Sequence, residues 1–116
     1  RLVRTLHPVN REAVHLLPEV AQEIGFTDFV EQDDYTVYKP VAGEDNPGGY
    51  LGRTSILELL VMSDPIRRLV MQHATSGEIQ RLAVAEGMRT MYQDGLLKCL
   101  RGVTSVEEVL RVTQEA

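Results

Sequence analysis

The residues of this chain with chemistry to offer are few and scattered. His7, His15 and His73 are the only histidines and Cys99 the only cysteine. Imidazole needs close partners to hold a metal or move a proton, and none of the three lies in a cluster of cysteine or histidine; a lone histidine on a helix face is more often packed or solvated. Cys99, between Lys98 and Leu100 on an apolar helical face, reads as core, because a reactive thiolate needs exposure and a cationic neighbourhood. A single cysteine permits no intramolecular disulfide and fits a reducing compartment. Glu58 stands out, set between Ile56 and Leu60 in the most apolar run of the sequence. A carboxylate there must reach an edge or be paired. Arg53 is five positions away, on the opposite face if the run is a strand, which leaves Arg67, Arg68 or Arg89 as partners. A buried structural salt bridge is the reading favoured over catalysis. Arg53, Glu58, Arg67 and Arg89 are therefore the structural or interaction candidates, and no residue is assigned a catalytic, cofactor-binding or metal-binding role.

Motifs that mark a self-contained active site are missing from the sequence. There is no G-x-x-x-x-G-K-[ST], no nucleophile elbow and no H-E-x-x-H. Gly48-Gly49-Tyr50-Leu51-Gly52 has the glycines to cradle a phosphate, but it precedes a strand-like run where anion binding wants a helix N-terminus, so it reads as a turn. The chain by itself is expected not to hydrolyse ATP.

The elements around these residues follow from periodicity and punctuation. A net charge of −5, two Phe, four Tyr and no Trp give little with which to neutralise phosphates or stack bases, so nucleic acid is not expected as a partner. Apolar residues at 43% and charged residues at 25% describe an ordinary globular chain of 116 residues, with no run near the roughly 20 apolar residues of a membrane span. Arg1-Leu2-Val3-Arg4 starts strand-like, without a helix cap, and suggests a cut within a longer protein. Residues 10–24 repeat apolar positions at helical spacing up to Gly25, with Pro18 placed to open a second piece. Residues 26–30 are a short strand or an anchored loop. Residues 35–39 alternate as a strand ending at Pro40, and residues 42–49 are dense in turn formers and mark a subdomain boundary. Residues 53–62 then read as a strand apolar on both faces, which needs covering on both sides and implies that part of its cover is missing. Four short helices follow, capped at Asp64, Thr75, Thr90 and Thr104 and closed in two cases by Gly87 and Gly102. The expected fold is α+β and mostly α. A strand-containing N-terminal subdomain over residues 1–49 precedes a strand and a compact bundle of four short helices over residues 50–116.

Several spaced motifs resemble one family. Tyr50-x-Gly52-Arg53-Thr54-x-Ile56-x-Glu58-Leu59-Leu60, Asp64-x-Ile66-Arg67, Gly87-Met88-x-Thr90-x-x-x-Asp94-Gly95-Leu96-x-Lys98 and Gly102-Val103-Thr104-Ser105-x-Glu107-Glu108-Val109-Leu110-Arg111 occur in that order. Together they resemble the C-terminal end of the type II secretion and type IV pilus assembly ATPases. The likeness is dense from residue 50 onward and thin over residues 11–40. It implies a hexameric bacterial motor whose ATP- and Mg²⁺-binding motifs lie upstream of Arg1. This chain would then supply contacts to its own ATPase core, to neighbouring subunits and to inner-membrane platform proteins. It would lie in the cytoplasm, peripheral to the membrane and without insertion of its own.

One departure from the family pattern is specific. Many type II secretion members carry two C-x-x-C pairs that hold a structural zinc, and the matching positions here are His7-Pro8-Val9-Asn10 and Ala42-Gly43-Glu44-Asp45. The spacing survives without the thiols. Ala42 cannot bind zinc and Asn10 is a poor ligand, so the N-terminal subdomain is expected to be metal-free, held by Leu6, Val9, Val14 and Leu17 against Phe26, Phe29, Val37 and Tyr38. The alternative to a motor domain is a free-standing helical adaptor, and an upstream reading frame without a P-loop would favour it.

Overall fold

The computed structural model describes residues 1–114. Four strands and five helices follow in the order β1 (Leu2–Leu6), β2 (Arg11–His15), α1 (Pro18–Ile24), β3 (Thr36–Pro40), β4 (Tyr50–Ser55), α2 (Asp64–Met71), α3 (Ser76–Ala85), α4 (Met91–Leu100) and α5 (Val106–Thr113), with a 3₁₀ turn at Phe26–Asp28 after α1. The class is α+β, as expected. β1 pairs antiparallel with β4 and β2 with β3, giving two separate two-stranded sheets. Contacts divide the chain into two compact units. One joins Arg1–Leu57 to the segment from Met91 onward, and the other is Glu58–Thr90. This division does not coincide with the expected boundary between residues 49 and 50.

In the larger unit the core is built across the chain. Phe26, Tyr35 and Val37 bury against Leu96, Cys99 and Val109 of α4 and α5, with Ala21 of α1 beneath them. The N-terminal strands therefore pack on the C-terminal helices: Val14, Phe26, Phe29 and Val37 of the cluster expected for residues 1–49 do come together, in a core shared with α4 and α5. Val9 and Leu17, assigned to that cluster, are 76% and 66% exposed. A second cluster joins Val3 of β1, Ile56 just after β4 and Val112 of α5. Gly95 is what lets α4 and α5 approach. A Cβ there would stand 2.6 Å from Val109 Cγ1, closer than packed carbons can come.

Two expected elements are corrected. Residues 10–17 are not helical: β2 occupies Arg11–His15, because its partner β3 supplies a full ladder from Arg11↔Pro40 to His15↔Thr36. The helix waits for Pro18, whose fixed φ suits the first turn. The strand expected over residues 53–62 instead ends at Ser55. Its ladder runs out where Leu2 pairs with Ser55 and Ile56 N–H donates to Arg1 C=O at 2.8 Å. No strand among the described residues pairs with residues 57–62. Leu57, Leu59, Leu60, Val61 and Met62 are all exposed.

The smaller unit is a helical hairpin. Ser63 caps α2, its Oγ accepting from Ile66 N–H at 3.3 Å, so Asp64 is the first helical residue and not the cap. Thr75 caps α3 as expected, accepting from Glu78 N–H at 3.2 Å. Helix α2 stops in a paired-bond C-terminal turn, with His73 N–H on Val70 C=O and Ala74 N–H on Leu69 C=O. The left-handed position of that turn, normally glycine, is His73 at φ 57°. The corresponding turn after α3 places Gly87 there, at φ 105°.

Candidate functional site

The charged side chains with the richest geometry sit where β1, β4 and α5 meet. Helix α5 starts at Val106 because Ser105 is its cap: Ser105 Oγ accepts from Glu108 N–H at 3.1 Å. This moves the cap one residue beyond the expected Thr104. In a capping box the glutamate three residues after the cap bends back to the cap's own N–H. Glu108 instead turns toward β1. Its Oε2 accepts from the Arg4 backbone N–H at 2.7 Å, and its carboxylate takes Arg4 Nη2 at 2.9 Å and Nε at 3.2 Å. Arg111, one turn along α5, adds a second fork at 2.9 and 2.8 Å.

The carboxylate is wholly buried while the two guanidiniums are about half exposed. Five donors converge on it. The Arg111 fork, working against burial and helped by Arg4, brings the Glu108 carboxyl down to about 2 from 4.5. The displaced Thr104 has its own task, its buried hydroxyl donating to Arg4 C=O at 2.8 Å. Leu6 N–H donates to Val103 C=O at 2.9 Å beside it. Tyr50 of β4 completes the junction. The Arg4 guanidinium lies 4.3 Å over its ring, and its hydroxyl shares a 2.6 Å hydrogen bond with Ser105. Burial raises the Tyr50 phenol above its usual range. One carboxylate and two guanidiniums thus tie strand β1 to helix α5, and the carboxylate, held ionised and taken up by five donors, is not poised as a base.

The expected candidates lie elsewhere. Glu58 is exposed and not the buried carboxylate its apolar neighbours suggested, because the run that carries it leaves the sheet at Ser55. Arg89 is exposed as well, and Arg67 makes an exposed pair with Asp64 at 3.3 Å. Arg53 lies exposed on β4, opposite Arg4 in the register. Among the described residues the buried carboxylates are Glu108 and Asp94, and Asp94 Oδ2 accepts from Leu57 N–H at 3.0 Å and from Lys98 Nζ at 2.7 Å. One sequence signal did point to Glu108: Ser105-x-x-Glu108 is also a capping box, one residue out of step with Thr104-x-x-Glu107. Cys99 is fully buried, and its thiol is pushed up to about 12 by burial. It is core, as read from the sequence.

The two turns that match the family's zinc positions come together in the fold. His7 Nδ1 accepts from Val9 N–H at 3.0 Å and Asn10 N–H at 2.9 Å, which closes the first turn. Gly43 and Asn46 exchange backbone bonds at 3.3 Å, which closes the second. Across the gap His7 Nε2 meets Asp45 Oδ2 at 3.0 Å, and Asn10 Nδ2 donates to Asn46 Oδ1 at 3.3 Å. Asn46 is fully buried and also donates to Val41 C=O at 2.9 Å. These residues do not fit a zinc ion. Both imidazole nitrogens are already engaged, Ala42 has no donor atom, and the amides of Asn10 and Asn46 fill the space beside Gly43, where a Cβ would fall 2.3 and 2.7 Å from them.

Comparison with known proteins agrees with the motifs. Residues 1–111 match the family described as Type II/IV secretion system protein. The chain belongs to that family. It is 49% identical over 116 residues to the type II secretion system protein E of Xanthomonas campestris pv. campestris, covering all of this chain and 20% of that protein. It is 38% identical to the type IV pilus assembly ATPase PilB of Thermus thermophilus, covering 99% of this chain and 13% of that one. The type II secretion system protein E of Dickeya dadantii is 40% identical, with 99% and 22% covered. The chain thus spans about a fifth or less of the length of these relatives. No helix among the described residues is long and apolar enough to cross a membrane.

Proposed function

We propose that this chain is a non-catalytic part of a hexameric ATPase that powers protein secretion or the assembly of a pilus or pseudopilus. The observation that carries the reading is the family match over residues 1–111, in a sequence with no triphosphate-binding motif. ATP and Mg²⁺ would bind elsewhere in the parent protein. The role of this part is to hold surfaces against neighbouring subunits and against the platform proteins of the inner membrane, from the cytoplasmic side. Two features support a contact role. The junction around Glu108 ties β1 to α5 through five hydrogen bonds to one buried carboxylate, an arrangement suited to carrying load between strand and helix. In the other unit, Leu59, Val61 and Met71 are 72%, 68% and 75% exposed, large apolar side chains of the kind that protein contacts cover.

The test uses the full-length protein. A Leu59→Ser/Val61→Ser variant is expected to keep its fold, since both side chains are already in solvent, and to lose hexamer formation or secretion in a complemented strain. Unchanged assembly and unchanged export together would overturn the contact role. ATP hydrolysis by the 116-residue chain alone would overturn the non-catalytic assignment.

A further inference from the structure

We infer that His7 is the hub of a hydrogen-bonded clasp that closes the two turns without metal, doing by imidazole what the family resemblance assigns to zinc. The argument is one of valence. Nδ1 of His7 faces two backbone N–H groups, from Val9 and Asn10, so it must present a lone pair to them. Asp45 offers only acceptors, so Nε2 must carry the proton and donate it across 38 residues of chain. The ring is thereby held in one tautomer, with both nitrogens committed and no lone pair left for an ion. The contact from Asn10 Nδ2 to Asn46 Oδ1 repeats the bridge with neutral groups, and buried Asn46 ties the second turn to Val41.

A bound metal would fix both turns through one centre. The clasp fixes the first turn through Nδ1 and the crossing through Nε2, so the two functions can be removed separately. His7→Asn keeps an acceptor at the Nδ1 position, where asparagine closes the same turn two and three residues on, but lacks the reach to Asp45. His7→Ala removes both functions, and Asp45→Ala removes only the crossing.

The experiment is NMR on the 116-residue chain and its variants, with elemental analysis of protein purified without chelator. Long-range ¹H–¹⁵N correlations of His7 are expected to show the Nε2–H tautomer with Nδ1 bare. Amide exchange of Val9 and Asn10 is expected to be slow in the parent, in Asp45→Ala and in His7→Asn. In His7→Ala it should be about tenfold faster, the effect of losing a hydrogen bond of ordinary strength. Should His7→Ala fail to fold, the tautomer and the His7→Asn and Asp45→Ala exchange rates still decide. An Nδ1–H tautomer would overturn the inference. So would near-stoichiometric zinc, a chelator that unfolds residues 1–49, or fast exchange at Val9 and Asn10 in His7→Asn with the fold intact.

Discussion

Replacing Glu108 by glutamine keeps the shape of the side chain and removes the charge on which Arg4 and Arg111 converge. Folding lowers the Glu108 carboxyl from 4.5 to about 2, which corresponds to about 3 kcal/mol of preference for the ionised form in the folded state. The guanidiniums are 47% and 51% exposed, so water and salt recover part of their solvation when the partner is lost. Allowing for that screening, Glu108→Gln should lower the unfolding free energy by about 2 kcal/mol at pH 7. The direction with pH follows from the depressed value. The contribution is complete above 4.5 and is lost as pH falls through about 2, because protonation then removes in the parent what glutamine removes in the variant. Urea unfolding of the 116-residue chain and of Glu108→Gln, followed by far-UV circular dichroism from pH 7 down to pH 2, measures the gap. It should be constant from pH 7 to about pH 5 and close progressively below. A gap that persists undiminished at pH 2, or none at pH 7, would refute the reasoning.

Four further outcomes follow from single sites. Gly95→Ala adds a methyl 2.6 Å from Val109 Cγ1 and should destabilise by about 1–2 kcal/mol despite alanine's better helix propensity, readable as a lower urea midpoint. His73→Gly should stabilise by up to about 1 kcal/mol, since φ 57° strains any residue with a Cβ, and should raise the melting temperature. Cys99, buried and with its thiol pushed up to about 12, should resist iodoacetamide at pH 8 in the folded chain and react in urea. Glu58→Ala, at an exposed position, should leave the urea midpoint close to that of the parent.

What was legible in the sequence was local. Thr75-x-x-Glu78, Gly87 and Gly102 mark helix ends because a cap needs only residues within one turn of it, and all three act where they were read. Pro18 opens a helix for the same reason. The failures required knowledge of a distant partner. Residues 11–15 carry apolar spacing compatible with a helix, and only the ladder with β3, some 25 residues on, makes them a strand. The run from residue 57 to 62 has the composition of a core strand, but a strand is defined by its neighbour, and β1 gives out as a partner at Ser55.

The same distinction explains why the wrong glutamate drew attention. Glu58 looked buried because its sequence neighbours are apolar, whereas Glu108 looked like one more acidic residue in a helix's first turn, next to Glu107. Burial is a property of what comes from elsewhere. Arg4, 104 residues away, supplies the backbone N–H and one guanidinium that hold Glu108, and Tyr50 flanks that arginine from β4. The out-of-step capping box shows how two levels compete at one site. Ser105 caps α5, Thr104 is taken by Arg4 C=O, and Glu108 gives up the local bond of a capping box for one to β1. A helix start normally satisfies its own donors. Here the side chains at the start of α5 also satisfy those of a strand at the other end of the chain. Cutting that link should therefore loosen β1 and the first turn of α5 together.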